Sequence, residues 1–144
     1  MTTPDRLTDS PIGWVARHIS SYVRTGGKSG HRFHGHDALL LTTRGRRSGT
    51  LRRTALYYGR DGDHYLVVAS GGGDPTHPAW YLNLLAEPLV VVQVGAEVFG
   101  ALARPASAAD KPRLWEIMVA IFPKYADYQA KTSRDIPVVI LEAV

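Results

Sequence analysis

The sequence contains no cysteine, which excludes disulfide bonds, zinc–thiolate sites, iron–sulfur clusters and cysteine nucleophiles. None of its apolar runs approaches the ~18 residues that a membrane-spanning helix requires. The N-terminal residues also lack the apolar centre of a secretory signal peptide. These absences predict a cytoplasmic protein.

Lysine is scarce: the chain has four lysines and thirteen arginines. Its formal net charge is +4. Six of the arginines fall between residues 44 and 60, a stretch without any acidic residue. Such a local concentration of positive charge predicts an anionic partner. Nucleic acid is not expected, because the sequence has no helix-turn-helix, zinc-finger or ribonucleoprotein motif and its basic residues are not interleaved with aromatic ones.

The apolar pattern of the chain predicts six strands, most of them joined as hairpins. Residues 61–63 and 95–96 are typical hairpin turns. Helices are expected at residues 14–23, between Pro78 and Pro88, and after Ser107. The strands are expected at residues 38–44, 50–60, 64–70, 89–94, 97–105 and 136–144.

This order of strands predicts an α+β domain over residues 14–144, built on a small, mostly antiparallel β-barrel with peripheral helices. Residues 1–13 are polar and are expected to form a flexible tail. The continuous apolar run at residues 38–41 predicts a strand that is buried on both faces.

The arginines concentrate at a glycine-bounded turn, in the segment GRRSG at residues 45–49. Glycine allows the positive φ angles of a tight turn, but turning does not require Arg46 and Arg47. The segment is either a solvated charged turn or a clamp for phosphate or carboxylate groups. Arg52 and Arg53 follow on a strand and point to opposite faces, so at least one of them is expected at the surface.

A second candidate site is the glycine loop that follows Ser70 and leads into the helix after Pro78. Its glycines allow a ligand to approach the backbone closely, and the helix directs free N–H groups toward the loop. A flexible connection is the alternative interpretation. Trp80 and Tyr81 suit the core or a ligand equally, and Asn83 can donate a hydrogen bond to a heterocyclic carbonyl.

Three histidines at positions 31, 34 and 36 raise the question of a metal site. No metal is predicted, because His34 and His36 can share a strand face but a complete ligand set cannot be placed. The common phosphoryl-transfer, hydrolase and metalloprotease motifs are also absent from the sequence.

Three motifs together resemble the deazaflavin (coenzyme F420)-dependent nitroreductase family of actinobacteria. They are TTRGRRSG with LRRTALYY, the S-x-GG loop that leads to HPAWYLNL, and FPKYADYQAKTSRDIPVVIL near the C-terminus. The resemblance extends from about residue 14 to the C-terminus. It implies a split β-barrel of the pyridoxamine-phosphate-oxidase type, within the flavin-reductase-like superfamily.

The implied activity is hydride transfer from reduced coenzyme F420 to a small-molecule acceptor: a quinone, an enone or a nitroaromatic compound. Flavin mononucleotide (FMN) is a less suitable cofactor, because the arginine cluster matches a long polyanionic tail better than one phosphate. The alternative is a non-catalytic protein of the same fold that carries a deazaflavin, flavin, haem or lipid.

The resemblance also implies functional residues. Tyr57, Ser70, Tyr125 and Tyr128 would lie at the active site. The coenzyme tail would contact Arg46, Arg47, Ser48 and Arg52. The full implied coenzyme-binding set is Arg46, Arg47, Ser48, Arg52, Arg53, Thr54, Ala55, Leu56, Tyr57, Val68, Ala69, Ser70, Gly71, Ala79, Trp80, Tyr81, Leu82, Asn83 and Tyr128.

The chain departs from this family at Gly71, where members often have lysine, and in its histidine-rich segment at residues 31–36. Related proteins include membrane-associated menaquinone reductases, so the helix at 14–23, which carries Trp14, has two interpretations. It either lies at a membrane interface or docks on the barrel. The sequence does not predict the oligomeric state.

Overall fold

A computed structural model of the chain describes residues 7–144. Within these residues it contains nine strands and four α-helices. The strands are β1 (Leu7–Asp9), β2 (Arg32–Phe33), β3 (His36–Arg44), β4 (Leu51–Tyr57), β5 (Gly59–Asp61), β6 (His64–Val68), β7 (Leu89–Val94), β8 (Glu97–Pro105) and β9 (Val138–Ala143). The helices are α1 (Gly13–Thr25), α2 (Ala79–Ala86), α3 (Lys111–Ile121) and α4 (Lys124–Lys131), and a 3-10 turn spans Gly71–Gly73.

The strands form a single sheet in the order β1-β4-β3-β7-β8-β9-β6-β5, with β2 paired to β3. Every pairing is antiparallel except that of β1 with β4. Although four strands separate β4 from β6 in this order, the two strands are in contact. The sheet therefore curls round on itself into the split barrel that the sequence predicts.

The predicted count of six strands is wrong, because three of the nine strands are too short to show an alternating pattern. β1, β2 and β5 have only two or three residues each. The sequence expectation of one strand at 50–60 is divided into β4 and β5 at Tyr58, whose N–H donates to the carbonyl of Asp37.

Strand β3 is buried on both faces, as its continuous apolar sequence predicts. Leu39 and Leu41 pack inside the barrel with Val67, Val92 and neighbouring residues. Leu40 points to the opposite face, where α1 covers it. A strand with one face in water would alternate apolar with polar residues, and β3 does not. The apolar outer face of β3 therefore needs a cover, which α1 supplies.

Helix α1 docks on the barrel through Val15, Ile19 and Tyr22, which are buried. Its opposite face is open, and Trp14 is 56% exposed. This packing agrees with the first interpretation of the helix, that it docks on the barrel. Association of its open face with a membrane stays a prediction. No helix within residues 7–144 is long and apolar enough to cross a bilayer.

Two further expectations are corrected. Of the tail predicted at 1–13, residues 1–6 lie outside the described residues, but Leu7–Asp9 pair with β4 and are not a free tail. The segment after Ser107 forms two helices and not one. The break lies at Pro123, which has no N–H to donate to a preceding turn.

The hydroxyl of Tyr22 joins α1 to the barrel by hydrogen bonds, and their contribution to stability can be tested. Its hydroxyl accepts the Gly95 N–H at 2.7 Å and donates to the Ala38 carbonyl at 3.0 Å. We expect Tyr22→Phe to lower the free energy of unfolding by about 1–3 kcal/mol, because the substitution leaves the partly buried Gly95 N–H without its acceptor. Chemical denaturation measures the change.

The matched control is Tyr65→Phe, because the Tyr65 hydroxyl makes no hydrogen bond to any residue in the described part of the chain. This substitution is expected to change stability by less than about 0.5 kcal/mol. Equal effects of the two substitutions would contradict the role of the Tyr22 hydroxyl.

Candidate functional site

Two cavities adjoin at Trp80, which borders both. The first, which we call the aromatic cavity, has a volume of about 370 Å³ and includes Tyr57, Phe122, Tyr125 and Tyr128 in its wall. The second, the arginine cavity, has a volume of about 520 Å³ and is walled by Arg46, Arg47, Arg52 and Arg53 with polar neighbours. The two cavities share Trp80 as a wall residue, and the other residues that line them are different.

Four rings of the aromatic cavity come from two places in the chain: Tyr57 from β4, and Phe122, Tyr125 and Tyr128 from residues 122–128. The ring centroids of Tyr57 and Phe122 lie 5.2 Å apart, and those of Phe122 and Tyr125 lie 5.0 Å apart. Tyr125 and Tyr128 are separated by one helical turn, and their ring centroids are 6.4 Å apart. Contacts of this kind hold the rings in fixed orientations.

Tyr57 and Tyr125 of this cavity are neutral phenols. Burial, with a smaller effect of the neighbouring phenols Tyr57 and Tyr128, raises the pKa of Tyr125 far above its usual value. Burial and the nearby Tyr128 also raise the pKa of Tyr57. A neutral phenol donates a hydrogen bond but does not act as a base, so these side chains can orient and stabilise an oxygen atom of a ligand.

Ser70 enters the same cavity from the end of β6, followed by Gly71 and Gly72. The loop presses on α4 at Gly73, where an added Cβ would lie only 2.8 Å from the backbone oxygen of Tyr128. Gly73 has a φ angle of +83°, which also favours glycine. The loop and α4 are thus packed directly together, which brings Ser70 and Tyr128 to one cavity.

In the arginine cavity, Arg46 is fixed to helix α2. Its backbone N–H and its Nη1 both donate to Oδ1 of the buried Asn83, at 3.2 and 2.9 Å. The amide group of Asn83 in turn donates to Thr43 Oγ1 at 3.4 Å. Asn83 therefore anchors the arginine turn, and it lines the arginine cavity and not the aromatic cavity.

The other arginines of the cavity fall into two groups. Arg53 forms an ion pair with Asp9, with 2.7 Å between Nε and Oδ1 and a second bond of 3.3 Å from Nη2 to Oδ2. Arg47 and Arg52, by contrast, have no hydrogen bond or ion pair to any residue within 7–144. Their guanidinium groups retain all their donors for an anionic ligand.

The turn that carries Arg46 and Arg47 is compact. The Gly45 N–H donates to the Thr50 carbonyl at 2.7 Å, and the Gly49 N–H donates to the Gly45 carbonyl at 2.8 Å. A Cβ at Gly45 would lie 2.7 Å from Ser48 Oγ and 3.4 Å from Arg52 Nε. Glycine at position 45 thus leaves room for the Ser48 hydroxyl within the turn.

Most of the residues expected at the site line one of the two cavities. Ala55, Leu56, Tyr57, Val68, Ser70, Gly71, Tyr125 and Tyr128 line the aromatic cavity. Arg46, Arg47, Ser48, Arg52, Arg53, Thr54, Ala79 and Asn83 line the arginine cavity, and Trp80 lines both. Ala69, Tyr81 and Leu82 line neither cavity and pack in the barrel core.

Sequence reasoning missed the contribution of the N-terminal segment. Trp14, His18 and Phe33 line the aromatic cavity, and Asp9 and Ile12 line the arginine cavity. The one local signal of this contribution is Trp14, a large aromatic residue on the amphipathic helix α1. The position of Asp9 depends on a pairing with β4 across more than forty residues.

The three histidines have separate surroundings. His31 Nε2 bonds the Tyr58 hydroxyl at 2.8 Å, His34 stacks on Phe33 with 4.1 Å between centroids, and His36 Nδ1 bonds the His34 carbonyl at 2.9 Å. Burial is the main reason that the pKa of Tyr58 rises to about 12. Within the described chain, no three His, Asp or Glu side chains are grouped to hold a metal ion.

Comparison with known proteins adds a family to this geometry. Residues 14–143 match the F420H(2)-dependent quinone reductase family. An F420H(2)-dependent quinone reductase of Mycobacterium tuberculosis is 44% identical over 141 residues, which cover 89% of this chain and 95% of the relative. The solved structure of an F420-H2 dependent reductase is similar with a TM-score of 0.68 and 42% identity, and the match covers 73% of this chain and 93% of that one.

A more distant likeness concerns the fold alone. A Listeria innocua protein assigned as a pyridoxamine 5′-phosphate oxidase matches with a TM-score of 0.52 at 14% identity. The match covers 75% of this chain and 84% of that one. The split-barrel architecture is therefore shared well beyond the sequence family.

The anchoring of the arginine turn by Asn83 can be tested by substitution. We expect Asn83→Ala to cost about 1–3 kcal/mol of unfolding free energy, because Arg46 loses its acceptor at a buried position. Asn83→Asp keeps an oxygen acceptor for Arg46 and is expected to cost less. Denaturant titration of both variants measures the difference, and a larger loss for the aspartate variant would contradict this account of the turn.

Proposed function

The chain belongs to the F420H(2)-dependent quinone reductase family and is an F420-dependent reductase, and we propose that its two adjoining cavities bind one molecule of coenzyme F420. The deazaflavin ring would occupy the aromatic cavity, and the phosphate and polyglutamate tail would follow the arginine cavity. One observation carries this proposal: an aromatic, largely apolar space meets a positively charged space at Trp80.

The residues present suit both parts of the coenzyme. Tyr57, Trp80 and Phe122 offer flat apolar surfaces to a planar ring. Arg47 and Arg52 can bond phosphate or carboxylate groups without first breaking an ion pair within the described chain. FMN has one phosphate and would use only part of the arginine cavity, so it is the weaker candidate.

When bound, the reduced coenzyme supplies a hydride from C5 of its ring. The protein holds the ring and the acceptor in contact and keeps water out, which Ala55, Leu56 and Val68 favour by their apolar side chains. The hydroxyl of Ser70, which lines the aromatic cavity, would donate a hydrogen bond to an acceptor oxygen on which negative charge develops.

The tyrosines of the aromatic cavity would add further hydrogen-bond donors to that of Ser70. Because burial raises the pKa values of Tyr57 and Tyr125, both remain protonated and act as donors at neutral pH. Tyr128 follows Tyr125 on the same face of α4 and lines the same space. We assign these three phenols and Ser70 to orienting the acceptor, and none of them to nucleophilic attack.

The family supports a quinone as the acceptor. Activated enones and nitroaromatic compounds are also electron-poor and carry an oxygen that gains charge on reduction, so we propose them as further acceptors. A protein that only carries the coenzyme would bind it with the same cavities but would not oxidise it.

A titration tests the function. The purified protein is mixed with F420 and, separately, with FMN while ligand fluorescence is followed, and menadione is then added to the reduced F420 complex. We expect F420 to bind more tightly than FMN, and menadione to oxidise the bound coenzyme. Failure of F420 to bind would overturn the proposal, and binding without oxidation would favour a carrier.

The assignment of the arginine cavity to the tail gives a separate prediction. We expect the double substitution Arg47→Ala with Arg52→Ala to weaken binding of polyglutamylated F420 by about ten- to a hundred-fold, since each charge-assisted bond contributes about 1.5–3 kcal/mol before screening by solvent. Binding of an analogue without phosphate and tail should change less than about three-fold. Fluorescence titration measures both affinities.

The matched control removes the same charge elsewhere. Arg104 and Arg113 lie outside both cavities and form exposed ion pairs with Glu142 and Asp61. Arg104→Ala with Arg113→Ala should leave both affinities nearly unchanged. Equal losses for the coenzyme and for the tail-less analogue in the cavity variant would place those two arginines away from the tail.

A further inference from the structure

The glycine loop at residues 70–74 is held by one side chain from the segment after α4. Arg134 donates from Nη2 to the Ser70 carbonyl at 2.6 Å and from Nη1 to the Ala69 carbonyl at 3.1 Å. Its Nε donates to the Asp74 carbonyl at 2.8 Å. A single guanidinium group therefore joins both ends of the loop.

A fourth contact of Arg134 fixes the state of a histidine. Nη1 lies 3.1 Å from His77 Nδ1. Arginine only donates hydrogen bonds, so His77 Nδ1 must be the nitrogen that carries a lone pair, and the proton must be on Nε2. Burial and then the charge of Arg134 lower the pKa of His77, which agrees with a neutral ring.

The loop is a single 3-10 turn of three glycines with two internal backbone hydrogen bonds, from the Gly73 N–H to the Ser70 carbonyl at 2.9 Å and from the Asp74 N–H to the Gly71 carbonyl at 3.2 Å. Gly71, Gly72 and Gly73 all have positive φ angles, of 54°, 66° and 83°. Such glycines give up more conformational freedom than other residues when they are fixed. Apart from Arg134, the side chain that reaches the loop backbone within the described residues is Lys131, whose Nζ donates to the Gly72 carbonyl at 3.2 Å.

The arginine is itself supported. The Arg134 N–H donates to Thr132 Oγ1 at 3.3 Å, and the Arg134 carbonyl accepts from Gln129 Nε2 at 2.8 Å. Gln129 also accepts the Ile136 N–H through Oε1 at 2.9 Å. The backbone on both sides of Arg134 is thus fixed to α4, the helix that carries Tyr125 and Tyr128.

We propose that Arg134 is a positioning residue for the reductase site, which clamps the loop so that Ser70 faces the tyrosines across the aromatic cavity, with neutral His77 as part of the clamp. The proposal rests on the proposed function for its catalytic readout. Arg134 lines neither cavity. It acts through Ser70, so its loss should lower kcat while coenzyme affinity is largely retained.

A double-mutant cycle tests this coupling. Arg134→Gln and Ser70→Ala are each expected to lower kcat with menadione at least ten-fold, while the affinity for F420 changes less than about three-fold. The double variant should lose no more than the worse single variant, because both remove the same placed hydroxyl. Arg134→Lys should restore little, since an ammonium group cannot span three separated carbonyls. Additive losses would overturn the proposal.

Lys131→Gln is the matched control, because it removes a cation that bonds the same loop at one carbonyl. It should change kcat less than about three-fold. An effect equal to that of Arg134→Gln would show a general need for positive charge and would overturn the assignment to Arg134.

Hydrogen exchange of the loop amides is the readout that does not depend on the coenzyme. Without any ligand, Arg134→Gln should speed exchange at residues 70–74 by at least ten-fold, while Lys131→Gln leaves it nearly unchanged. Unchanged exchange in Arg134→Gln would reject the clamp. If the wild-type protein fails to bind F420, the proposed function fails while this measurement still decides whether the clamp exists.

The role of His77 gives a pH signature. The groups that face its ring are Arg134 and Tyr81 of α2, with Asp74 in its own loop and Lys131 bonding that loop from α4. Because burial and the charge of Arg134 lower the pKa of His77, its ring becomes protonated only at a pH below the ordinary range of histidine, and protonation then removes the acceptor and places a second cation beside Arg134. We therefore expect kcat to fall on the acid side.

His77→Gln supplies an amide oxygen acceptor that does not titrate. Its acid-side loss of kcat should be much smaller than that of the wild-type protein, with a similar kcat at pH 7.5. An unchanged acid limb in His77→Gln would remove His77 from the clamp.

Discussion

Burial of β3 on both faces is the constraint on which the rest of the fold depends. Leu39 and Leu41 fill the barrel while Leu40 needs a cover on the outer side, and α1 supplies that cover. The docking of α1 then brings Trp14 to the aromatic cavity. The same strand ends at the arginine turn, so one buried element connects the core to both the ring end and the charged end of the site.

The arginines that line the arginine cavity differ in the bonds they form within the described chain. Arg46 and Arg53 are occupied by Asn83 and Asp9, and these bonds shape the cavity wall. Arg47 and Arg52 keep their donors free of partners within residues 7–144. A guanidinium that is already paired contributes less to binding, because its old bond must be exchanged for the new one. Clustered arginines therefore have unequal roles, although their local sequence looks uniform.

Local sequence patterns predicted the barrel, the positions of the long strands and the two motifs that line the site. They succeeded where the information lies within a few residues, as in the run ALLL or the segment GRRSG. They failed where a contact joins distant segments. The pairing of Asp9 with Arg53 and the clamp of Arg134 on Ser70 span 44 and 64 residues, and neither leaves a periodic signal. The strands β1 and β2 were missed because two or three residues are too few to show an alternating pattern, and β5 was merged with β4 into one predicted strand.

Trp80 lies at the boundary of the two cavities, whose walls come largely from different parts of the chain. Strand β4 lines both cavities, the arginine cavity with Arg52, Arg53 and Thr54 and the aromatic cavity with Ala55, Leu56 and Tyr57. The other walls differ: they come mainly from β1 and the β3–β4 turn at the arginine cavity, and from α1, the loop after β6 and residues 122–128 at the aromatic cavity. Substitutions in these other walls of one cavity need not disturb the other. With the coenzyme bound as proposed, preference for tail length and preference for hydride acceptor would depend on different walls, and the two preferences could change independently during evolution while Trp80 stays the same.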